Sequence, residues 1–143
     1  AASFDASTRT LEVYNVGNRQ VLAIYSNVTE IPHELGHAAH NRLITAAGAQ
    51  RSDITNLLVQ FETATFSEQP ITGYARGYLA RKRAVAVSEN FAEWHQAFID
   101  EGFKTGLPLA QQSVEIQRLA KSYPESFKAF SSMWELLSQG GEL

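Results

Sequence analysis

Five residues constrain this chain more than any others: His33-Glu34-Leu35-Gly36-His37, an H-E-x-x-H pattern. On an α-helix, histidines four apart lie on one face, about a turn from each other. Two imidazoles so placed can bind one zinc ion, and the glutamate beside the first can take the proton of a zinc-bound water. The pattern asks the fold for a helix at this point and for a third ligand from elsewhere in the chain. It points to zinc-dependent hydrolysis, most often of a peptide bond.

The residues around the motif agree with a helix. Asn27 or Thr29 can cap its start, and Pro32 is tolerable in a first turn, where its missing N–H is not needed. Ile31, Leu35, Ala38, Ala39, Leu43 and Ala46 supply an apolar stripe at helical spacing. Gly36 costs about 1 kcal/mol relative to alanine inside a helix, which suggests that something packs closely against it. A buried helix with two hydrogen-bonded histidines would leave Glu34 a coincidence. From average residue usage, the pattern arises by chance in well under ~1% of chains this long.

Composition narrows the chemistry. The chain has 143 residues, which fits one domain over 1–143. A net charge of −3 gives no reason to expect nucleic acid or an anionic membrane as the main partner. There is no cysteine, so zinc must be held by histidine and carboxylate. Cysteine usage of this kind fits a cytosolic protein or a bacterial secreted one. No apolar run approaches the ~20 residues that cross a bilayer. The start at Ala1, without a signal-peptide pattern, suggests a processed form or a domain of a longer protein.

Periodicity predicts an α+β, mostly helical domain with a small N-terminal β-hairpin. Residues 9–15 and 20–25 alternate like strands around a turn at 16–18 and lead into the motif helix. Ser52 or Asp53 can cap a helix carrying Ile54, Leu57, Leu58 and Phe61 on one face. Residues 67–77 read as a loop, and 78–86 are ambiguous. Ser88 can cap a helix to about residue 102, with Phe91, Trp94, Phe98 and Ile99 apolar. Helices near 109–121 and 124–138 follow, the last carrying Phe127, Phe130, Met133, Trp134 and Leu137. Residues 139–143 form a tail.

Four residues compete to be the third ligand. His40 follows His37 on the same helix, and three successive positions on one straight helix cannot close a tetrahedral site. The metzincin pattern places its third histidine where this chain has Leu43. His40 therefore reads as packing or as a neighbour of the ligands. His95 cannot share a helix face with both nearby acids. Asp53 reads as a helix cap. Glu89 remains, and Glu93 lies on its face of the same helix. One of the two can ligate zinc while the other accepts the ring N–H of a ligand histidine.

With H-E-x-x-H followed by E-x-x-x-E on a later helix, the chain resembles the gluzincins, of which thermolysin is one. It is more similar to the catalytic domains of anthrax lethal factor and the pro-pro endopeptidases. The matching pieces are His33 to His37, Tyr74-Ala75-Arg76 and Glu89-Asn90-Phe91-Ala92-Glu93, and the likeness runs over roughly residues 20–137. It implies a zincin-like fold and one zinc per chain, held by His33, His37 and Glu89. It also implies Glu34 as general base, Glu93 as the group orienting a ligand, and a protein or peptide substrate. A secreted or delivered effector fits this likeness. The family also uses a tyrosine to stabilise the oxyanion. Its position seven residues before the ligand glutamate is Lys82 here. Tyr74 sits in the best local match and Tyr78 lies nearer, while Arg76 or Lys82 offers positive charge instead. The family further implies that residues 20–26 form an edge strand for an extended peptide. The run Arg81-Lys82-Arg83 reads as a solvated loop or as a contact for acidic substrate residues.

Three functions follow as expectations. The first is a zinc endopeptidase with Glu34 as base. The second is a non-catalytic zincin-like binding module of a larger toxin or effector. The third is a domain whose zinc is purely structural, with His40 or Glu93 closing the site.

Overall fold

The computed structural model describes residues 2–5, 10–13 and 20–139, with side chains described for 31–139. A short antiparallel ribbon, β1 (Ala2–Asp5) with β2 (Thr10–Val13), pairs Ala2 with Val13 and Asp5 with Thr10. Helices follow: α1 (Gln20–Gly48), α2 (Ser52–Glu68), the short α3 (Gly73–Arg76) and α4 (Arg83–Asp100). After a 3-10 turn at Leu109–Gln111 come α5 (Val114–Ser122) and α6 (Pro124–Ser138).

The α+β expectation is overturned: beyond the N-terminal ribbon the described residues form helices and loops. Residues 31–139 contain no strand, and 20–25 are not the second arm of a hairpin but the first turns of α1. Short apolar runs fit either period, and here the run continues into the motif helix. The edge strand expected over 20–26 goes with it. The turn expected at 16–18 and residues 140–143 of the tail lie outside the described residues.

Helix α1 is 29 residues long and carries Pro32 in its interior, so Asn27 and Thr29 are not caps. Proline there removes one backbone donor. The Pro32 carbonyl accepts a hydrogen bond from His95 Nδ1 on α4 at 2.8 Å, tying the two helices together. Leu35, expected in the buried stripe, is 42% exposed, whereas Leu43 and Ala46 are buried.

The core is largely aromatic. Phe91, Trp94 and Phe98 of α4 are fully buried, as are Phe130 of α6 and Leu43 of α1. Phe91 and Phe98 lie 5.0 and 4.8 Å from Phe130, both edge-to-face, the arrangement that ring quadrupoles prefer. Phe61 of α2 meets Phe91 at 5.6 Å, whereas Ile99 of α4 is exposed. The packing makes α4 the central helix, with α1 against one side.

Polar ties fix the loops that approach the site. The buried Asn90 side chain accepts from the Ile71 amide and donates to Thr65 Oγ1, each at 3.0 Å. This anchors the segment between α2 and α3 to α4. Glu68 accepts the Glu125 and Ser126 amides at 2.9 and 2.8 Å, placing a carboxylate where the α6 dipole favours it. Among the described residues, no helix is long and apolar enough to cross a membrane.

Candidate metal centre

Helices α1 and α4 bring the motif and the acidic pair together. His33, His37 and Glu89 each offer a ligand atom, and these atoms lie within 4.8 Å of one another. Glu89 Oε2 is 2.9 Å from His33 Nε2 and 3.3 Å from His37 Nε2. Donor atoms around a tetrahedral ion with bonds of ~2.1 Å stand about 3.4 Å apart, so the spacing suits a small divalent cation. The two imidazoles meet edge to face, with centroids 4.9 Å apart.

One observation tests the fit directly. Glu89 Oε2 is buried and accepts no hydrogen bond, although two ring nitrogens are close to it. A buried carboxylate oxygen without a partner is costly. A cation held by the three donor atoms would satisfy it.

The far sides of both rings face polar groups of α4. His37 Nδ1 is 3.0 Å from Ser88 Oγ, and His33 Nδ1 is 3.4 Å from Glu93 Oε2. Each ring is thus held at Nδ1 while its Nε2 is turned to Glu89. Glu93 Oε1 accepts from Thr72 Oγ1 at 3.0 Å. Thr72 also caps α3, its Oγ1 accepting from the Ala75 amide at 3.2 Å. Helix α3 carries Tyr74, whose ring lies 6.3 Å from that of His33. Tyr78 is one ring further out, its ring 5.6 Å from that of Tyr74 and the two hydroxyls 3.4 Å apart.

Electrostatics follow from the arrangement. Burial disfavours a charged His33, but the adjacent Glu89 and Glu93 carboxylates outweigh burial and raise its pKa to about 10. Burial would raise Glu89, yet His33 and His37 bring it down to about 2. A divalent cation with neutral histidines would balance the same two carboxylates, so cation and proton compete for this place. The Tyr74 hydroxyl is held above its ordinary range, chiefly by Tyr78, then by burial and the Glu89 charge.

The remaining candidates fall elsewhere. His40 is buried and stacked on Phe91 at 4.6 Å, and burial, with the nearby His37, lowers its pKa to about 4. His95 is buried beside Trp134 and bonded to Pro32, its pKa lowered by burial. Asp53 is not the α2 cap but pairs on the surface with Arg51, whose NH2 donates at 2.8 Å. Arg76 is committed to the Pro70 carbonyl and the Tyr123 hydroxyl, both at 2.8 Å. Of the basic run, Arg81 and Arg83 lie over the Tyr78 and Phe66 rings, and Lys82 is the residue before α4. Glu34 is half-buried on α1 between the two histidines in sequence.

Two site residues escaped the sequence reading. Ser88 was expected to cap a helix, but α4 begins five residues earlier, at Arg83, so its hydroxyl is available to His37. Thr72 carries no signal in its spacing.

No protein-family model, curated protein or solved structure matches this chain. The assignment rests on the chain's own geometry: His33, His37 and Glu89 stand close enough together to hold a metal ion.

Proposed function

We propose that the protein is a zinc-dependent endopeptidase of the gluzincin type. The observation that carries this reading is the convergence of His33 Nε2, His37 Nε2 and a buried Glu89 Oε2 that accepts no hydrogen bond. Two imidazoles and a carboxylate form a donor set that suits zinc, and three protein ligands leave a position for water or substrate. Among the described residues neither His40 nor Glu93 joins the group, which speaks against a structural zinc closed by four ligands. Zinc bound here supplies Lewis acidity to a water and to the scissile carbonyl.

The chain's own groups then divide the work. Glu34, beside His33, takes the proton from the attacking water and passes it to the leaving amine. Tyr74 carries its proton at neutral pH, as any tyrosine does, and its neighbours disfavour the ionised form further. Its hydroxyl can therefore donate to the developing oxyanion. The Glu93 carboxylate, 3.4 Å from His33 Nδ1, orients that ring.

Metal analysis of the purified protein, with cleavage of an unbiased peptide library before and after chelation, tests the reading. About one zinc per chain and chelator-sensitive cleavage are expected. Glu34→Gln should keep the zinc and lose about 10²- to 10⁴-fold in rate. Unchanged cleavage by that variant removes the assigned base. A zinc-loaded wild type that cleaves nothing makes the domain a non-catalytic module.

A further inference from the structure

We propose that Ser88 is a positioning residue for the metal centre, fixing His37 through its Nδ1; this rests on the metal reading above. An imidazole that gives its Nε2 lone pair to a metal must carry its proton on Nδ1, and that N–H needs an acceptor. For His33 the acceptor is a carboxylate, Glu93. For His37 the group at this position is the Ser88 hydroxyl, 3.0 Å away.

The placement makes Ser88 more than a neighbour. Ser88 and Glu89 are consecutive on α4, and they hold opposite nitrogens of one ring: Ser88 Oγ at Nδ1 and Glu89 Oε2 at 3.3 Å from Nε2. A single helical turn thus supplies both a ligand and the group that aims a second ligand at the same point. His33 is held likewise between Glu89 and Glu93, one turn apart on the same helix. The two clamps differ in charge. A carboxylate at Nδ1 strengthens a histidine as a donor, whereas a hydroxyl orients it without adding negative charge. The centre therefore holds one histidine backed by a carboxylate and one backed by a hydroxyl.

Zinc affinity measured by chelator competition on the full chain tests this, with Ser88→Ala and Ser88→Thr beside the wild type. Loss of a group holding a ligand histidine typically costs 10- to 100-fold in affinity. Ser88→Ala is expected to bind at least about tenfold more weakly, while Ser88→Thr, which keeps the hydroxyl, stays within about threefold of wild type. Melting of the metal-free variants checks that the fold is intact. Wild-type affinity in Ser88→Ala overturns the proposal. Equal weakening in both variants also overturns it, since the hydroxyl would then not be the cause. If Ser88→Ala does not fold, Ser88→Gly takes its place: affinity at least about tenfold weaker supports the role, and wild-type affinity refutes it. A wild type that binds no zinc fails at the metal centre itself, an outcome distinct from either.

Discussion

Gly36 and Ala92 are in such close approach that a Cβ on the glycine would stand 2.7 Å from the Ala92 Cα and 2.9 Å from the His95 Cβ. These are backbone and near-backbone atoms of α4, which cannot swing aside as a flexible side-chain tip can. The glycine between the two histidines is what lets α1 come close enough for them to meet Glu89. Gly36→Ala gains about 1 kcal/mol in helix propensity. Overpacking at a tight contact costs about 1–3 kcal/mol, so the net effect should be destabilising. The helices must also separate, which draws His33 and His37 from Glu89. A lower Tm together with at least about tenfold weaker zinc binding is expected. A variant that melts higher and binds zinc normally would show that the approach does not position the ligands.

The same contact illustrates which parts of the site could be read from sequence. Residues set by helical period were legible: His33 with His37, and Glu89 with Glu93, lie one turn apart on α1 and α4. Leu43 and Phe91 fell in the core where their spacing put them. Residues whose partners come only from packing were not legible. Ser88 resembles a cap until α4 is seen to start at Arg83, and Thr72 has nothing nearby in sequence to mark it. The error at 20–25 has another source. Its apolar run fits a strand locally, and only continuity with the motif turns makes it helix.

Thr72 joins two parts of the site that sequence treats as separate. Its hydroxyl donates to Glu93, which faces His33, and accepts from the Ala75 amide at the start of the turn bearing Tyr74. Thr72→Ala should loosen both ends: about 1 kcal/mol from the lost cap, and several-fold weaker zinc binding from a less constrained Glu93. Thr72→Ser should restore both. Chelator competition and thermal melting of the two variants provide the check. Identical behaviour of alanine and serine at this position would rule the link out.

His40 should give the protein a specific acid sensitivity. Its folded pKa of about 4 lies below its unfolded value of 6.5, because burial disfavours the imidazolium. Between those values the unfolded chain binds the extra proton, so stability is complete above pH ~6.5 and falls as pH drops toward 4. The full difference amounts to about 3 kcal/mol at this buried position. His95, also lowered by burial, acts in the same direction. Urea unfolding at stepped pH should show a gentler acid limb for His40→Leu than for wild type. Parallel limbs would mean that His40 is not the group being protonated.

Tyr74 and Tyr78 offer the most direct separation of roles, because both keep their rings when changed to phenylalanine. Tyr74 lies next to His33, and Tyr78 packs against Tyr74 through both ring and hydroxyl. If the oxyanion takes its hydrogen bond from Tyr74, Tyr74→Phe should lower kcat by about 10²- to 10³-fold, the usual loss for one such donor, with zinc content unchanged. Tyr78→Phe should cost much less. A larger kcat loss in Tyr78→Phe than in Tyr74→Phe would reverse the two assignments.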